Sequence, residues 1–150
     1  MTTEVWLSLE GLIAEREARR AQERSAAEAE AARKAEETER FRRAIEAYTL
    51  TDADRDSIMR KIAAAFQRGE PELVLFTFPS DFCSDGGRRI ASHLEDWPDT
   101  LPGATRQVYA FWHEALRPRG FRLGARIMNY PGGMPGDVGL VFSWPKELEG

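Results

Sequence analysis

A thiol, two glycines and two arginines fall within one short stretch of this 150-residue chain, Cys83-Ser84-Asp85-Gly86-Gly87-Arg88-Arg89. A thiolate is a nucleophile, and backbone N–H groups freed by glycine can turn inward around an anion that a guanidinium then clamps. The stretch therefore offers Cys83 and Arg89 as a candidate catalytic pair. Gly86, Gly87, Arg88 and Arg89 are the candidate anion-binding residues.

Such a loop needs a strand to deliver it and a helix to leave it. Leu73, Val74, Leu75, Phe76 and Phe78 form a short apolar run ended by Pro79, which predicts a central, well-buried strand. Downstream, Ser84 or Asp85 can cap a short helix that carries Ile90 and Leu94 inward, closed by Trp97-Pro98. The spacing Cys-x-x-Gly-x-x-Arg resembles the phosphate loop of cysteine-dependent protein tyrosine phosphatases. The resemblance implies Cys83 as nucleophile, Arg89 as phosphate clamp and Asp81, Asp96 or Asp99 as acid. The chain departs from that pattern where Pro79-Ser80-Asp81-Phe82 separate the strand from the cysteine, and where Ile90 replaces the usual hydroxyl residue. Asp85 also sets a negative charge inside the anion cradle. A buried or half-buried structural cysteine before a glycine-opened helix start is expected.

Other chemistry-bearing residues are dispersed. His93 and His113 fall at the rims of apolar helical faces, and with one cysteine they give no metal-ligand spacing, so neither a metal nor another cofactor is expected. Gly132-Gly133-Met134-Pro135-Gly136 reads as a turn between two strands. Trp97, Trp112 and Trp144 read as core or rim residues, while Arg88, Arg89, Arg122 and Arg126 form a basic surface only if their elements adjoin. A net charge of -4 argues against a general nucleic-acid or anionic-membrane binder, so no nucleic acid is expected as a partner. No uninterrupted apolar run approaches a membrane span, and the first apolar cluster lacks the basic flank of a secretory signal. A single cysteine suits a reducing compartment, so a cytoplasmic protein is expected.

The element that sets the organisation lies at the other end. From Trp6 to about Tyr48 the chain is rich in Ala, Glu and Arg and free of proline, which predicts one long helix of roughly 60 Å. Val5, Leu9, Leu12 and Ile13 share one face of it with Trp6 beside them, and these five residues are the expected contacts to a partner. That partner is a helix of another protein or a second copy of the chain. Alanines among charges fill the middle without a strict heptad, a weak coiled-coil signal. Glu15–Arg19, Glu30–Lys34, Glu36–Arg40 and Glu39–Arg43 are spaced to support it as a solvated helix. Phe41, Ile45 and Tyr48 then restore an apolar stripe where the helix should dock.

The remaining elements predict an α+β domain over residues 50–150, preceded by an association segment over 1–49. Thr51 to Asp54 has capping-box spacing, Ile58, Ile62, Ala65 and Phe66 line the helix that follows, and Gly69 stops it. Val108, Phe111, Trp112, Ala115 and Leu116 mark another helix. The last third reads as a hairpin with Tyr130 opposite Asp137, so that Ile127 meets Leu140, Ala125 meets Phe142 and Leu123 meets Trp144. With the strand at residues 73–78, a three-stranded sheet with three helices on one side is expected. A parallel arrangement of the first strand would require a right-handed helical crossover. No activity is fixed by any of these motifs. The functional expectation is a non-enzymatic interaction or assembly module acting through the long helix, with a small thiol enzyme as the alternative.

Overall fold

The computed structural model describes residues 7–145. Contacts divide the chain after Phe41, the second unit running from Arg42 onward. Helix α1 spans Leu9–Ala47. Its start is set by Ser8, whose Oγ accepts from Gly11 N at 3.0 Å, so the helix begins three residues later than the composition alone indicates. Ile45 is its one buried residue. Of the expected charge pairs, Glu36–Arg40 is present at 3.5 Å, whereas Glu30 pairs with Arg33. Exposed pairs of this kind contribute only tenths of a kcal/mol each.

The second unit is an α+β fold. Helix α2 (Asp52–Gln67) opens with the expected capping box: Asp54 N donates to Thr51 Oγ1 at 3.2 Å, and Thr51 N returns a bond to Asp54 Oδ2 at 2.9 Å. Ile58, Ile62 and Ala65 are buried, Phe66 stays 38% exposed, and Gly69 at φ +78° ends the helix. Strand β1 (Glu72–Pro79) follows, then the loop to a one-turn helix α3 (Arg88–Ala91). Helix α4 (Gly103–Phe111) continues through a wider π turn, Trp112–Leu116, before β2 (Arg122–Ile127) and β3 (Asp137–Ser143).

The sheet is antiparallel throughout, in the order β1-β3-β2. This corrects the expectation of a central first strand. β1 is an edge, and the centre is β3, whose residues Val138 to Phe142 are all buried. The continuous apolar run in β1 arises from a bulge. Val74 pairs with Val141 and Phe76 with Leu140, leaving Leu75 as an extra residue. The bulge brings Leu73, Phe76 and Phe78 onto the face shared with Phe142, Leu140 and Val138 despite their mixed parity. The hairpin register also differs from the expected one. Leu123 meets Phe142, Ala125 meets Leu140 and Ile127 meets Val138, a slip of two residues. A two-residue slip keeps every side chain on its face, so hydrophobic alternation does not distinguish the registers. The loop decides. Gly136 N donates to Asn129 O, Asp137 N donates to Asn129 Oδ1 at 2.9 Å, and a Cβ on residue 136 would collide with that Asn129 side chain.

Candidate functional site

The Cys83–Arg89 loop leaves β1 through a single helical turn, Ser80–Phe82, and several of its N–H groups are taken by acceptors of the protein itself. Cys83 N donates to Ser80 O, Ser84 N to Thr100 O and Gly86 N to Cys83 O. Asp85 supplies the remaining acceptor. Its Oδ1 takes Gly87 N and its Oδ2 takes Arg89 N, both at 2.9 Å, and Arg89 Nη1 approaches the same Oδ2 at 3.3 Å. The carboxylate therefore sits where the N–H groups and the arginine would hold a phosphate. Burial raises the Asp85 pKa, but the bonds from Arg89 N, Gly87 N and the Arg89 side chain outweigh it, and the group ends below the usual range. Arg89 is further engaged by Asp96, with Nε to Oδ2 at 2.9 Å.

Cys83 is a free, buried thiol among the core side chains. Burial pushes it up to about 11. The hydrogen bond with the Thr100 side chain acts in the opposite direction, and the Asp85 charge adds to the rise. At neutral pH the sulfur is thus held as the thiol, which is a poor nucleophile. A thiol with a raised folded pKa contributes stability that is complete below its unfolded pKa and is lost as pH climbs toward the folded one. Two results are expected. Alkylation of native protein at about pH 8 should run at least about tenfold slower than in urea, because each unit of pKa costs a factor of ten in thiolate. The denaturation midpoint should fall above about pH 9, and Cys83→Ala should flatten that fall.

Among the other expected residues, Ile90 is buried while Leu94 is 49% exposed and does not complete the inward face. α3 ends after Ala91, and His93 then turns left-handed at φ +55°, carrying the chain outward before Leu94. Arg88 is exposed beside Asp85, Arg89, Ser92 and Leu94 in a shallow open hollow. Arg126 reaches over the outer sheet face to Glu72, so Arg89 and Arg126 each serve carboxylates of their own. His93 and His113 are on the surface, the latter 3.0 Å from Arg117 Nη1. No group of three candidate metal ligands occurs among the described residues.

No known family matches this chain, and neither curated proteins nor solved structures compared with it gave a match. The residues themselves must carry the functional argument. Of the expected partner contacts, Val5 and Trp6 lie outside the described residues. Leu9, Leu12 and Ile13 are described, at 74%, 46% and 42% exposure, and Leu7 at 83% joins them. Among the described residues no helix is long and apolar enough to cross a membrane.

The second unit contains an apolar groove that the sequence did not reveal. Met59, Ile62, Ala63 and Phe66 of α2, Leu116, Arg119, Gly120 and Phe121, and Trp144 and Pro145 line an open groove of about 890 Å³. Trp144 packs edge-on to Phe66 at 6.0 Å and to Phe121 at 6.4 Å. Its parts come from three distant segments. The signals in the sequence were the periodicity that places Phe66 on the apolar face of α2, and Trp144, expected opposite Leu123 in the hairpin but lying just beyond the end of β3.

Proposed function

We propose that this protein is a non-enzymatic interaction and assembly module that associates with a second copy through its long N-terminal helix. The observation that carries this reading is the cluster Leu9, Leu12 and Ile13, with Leu7 just ahead of them, exposed large aliphatic residues at the start of a helix whose middle is alanine and charge. Covering such a cluster is worth on the order of 1 kcal/mol per side chain, since Leu12 and Ile13 are already partly covered. A second copy is the favoured occupant because the same chain carries an apolar groove lined by Arg119 and no acidic residue, opposite in charge to a helix start that bears Glu10 and Glu15 and no base. The contact belongs at the leucine-bearing end, since the alanine-rich middle offers little area. A cytoplasmic setting suits the free Cys83 thiol and forms part of the same reading. No observation favours thiol chemistry, because the anion position is taken by Asp85 and the sulfur is protonated.

Light scattering on the full chain tests this. The parent is expected to run at a multiple of its 17.0 kDa mass at tens of micromolar, and Leu12→Glu at the monomer mass. A monomeric parent would defeat the proposal.

A further inference from the structure

We infer that the apolar start of α1 from one copy seats in the groove between α2 and Trp144 of another. The inference rests on the proposed association and names the surface that receives it. Leu9, Leu12 and Ile13 stand at i, i+3 and i+4, the spacing by which an amphipathic helix anchors in a groove. The groove presents matching surface. Met59 and Phe66 on its wall are 40% and 38% exposed, and methionine adapts its shape to an incoming side chain. Its volume of about 890 Å³ is in the range that holds several apolar side chains.

Charge selects the same occupant. The groove lining includes Arg119 and no acidic residue, while the stretch from Leu7 to Glu15 carries Glu10 and Glu15 and no base. Area argues in the same direction. Two helix starts laid side by side meet over little more than one turn of leucines, well short of the roughly 1,200 Å² of a stable interface. Seating in a groove surrounds each anchor on several sides. The helix start and the groove are different surfaces, and when each copy seats its helix in the other's groove the two contacts are related by a two-fold axis and the assembly closes as a dimer.

Complementation between variants separates this from other modes of association. Leu12→Glu spoils the helix start, and Met59→Glu or Ala63→Glu spoils the groove. All three positions are exposed, and thermal melts of each variant by circular dichroism verify the fold. Each variant alone is expected to scatter as a monomer under conditions where the parent is a dimer. An equimolar mixture of Leu12→Glu with Met59→Glu retains one intact helix and one intact groove, and should recover dimer mass. If both groove variants keep the parent mass while Leu12→Glu loses it, the groove inference is overturned and helix-mediated association stands. If the mixture stays monomeric, the groove inference is likewise overturned. A parent that is already monomeric, or a Leu12→Glu protein that keeps the parent mass, overturns both.

Discussion

Phe142→Ala is expected to cost about 3–5 kcal/mol, the range for removing a large aromatic ring from a packed core. Phe142 is 0% exposed and lies on the inner face of the central strand, with Leu73 and Leu123 opposite it on the two edges. Truncation leaves a cavity bounded on both sides by hydrogen-bonded strands, which cannot close on it without breaking ladder bonds. A domain of this size is stable by only about 5–15 kcal/mol in total, so the loss removes a large share of the margin. Urea denaturation measures it as a lower midpoint at unchanged slope. Val74→Ala supplies the comparison, because Val74 lies on the outer face of an edge strand and is 37% exposed. It should cost less than about 1.5 kcal/mol. Equal losses at the two positions would mean that β3 is not the centre of the core.

Local rules were legible from the sequence wherever a residue acts on its near neighbours. Thr51 and Asp54 announce α2, Gly69 ends it, and the proline-free run predicts α1. These depend on contacts within one turn of helix. The face of the hairpin was legible for the same reason, since alternation is a local property. Its register was not, because two registers related by a two-residue shift bury the same side chains and differ only in how Asn129 bonds across to Gly136 and Asp137. The order of the strands was hidden by the bulge at Leu75. An extra residue lets an edge strand show consecutive apolar residues that otherwise signal burial on both faces.

The Cys83 loop shows the limit of a motif. Sequence spacing placed a thiol, glycines and arginines together and correctly put Asp85 inside the cradle. Whether that carboxylate excludes an external anion depends on where its two oxygens point, and both point at the backbone N–H groups an anion would need. The groove was still less legible, because α2, the turn at Gly120 and the end of β3 meet only after the sheet has formed.

Gly103→Ala separates a propensity argument from a packing argument by the sign of its effect. Alanine is the better helix former by about 1 kcal/mol in a helix interior and restricts the unfolded chain, so local reasoning predicts a gain. Gly103 opens α4 against the last turn of α1. A Cβ there would lie 2.6 Å from Glu46 O and 3.0 Å from Glu46 Cα. Both are backbone atoms of a helix, so no side chain can swing aside. The junction is also pinned nearby, where Gln107 accepts from Leu50 N at 2.6 Å and donates to Tyr48 O at 2.7 Å. Relief requires α1 and α4 to move apart and strain those bonds, and overpacking of this kind costs about 1–3 kcal/mol. The packing term exceeds the propensity term, which at the first helical position is smaller than in the interior, so net destabilisation is expected. Gly124→Ala is the control, since nothing lies within 4 Å of its Cβ position, and it should be neutral or slightly stabilising. A Gly103→Ala protein as stable as the parent in urea would show that the end of α1 is not held against α4 in solution.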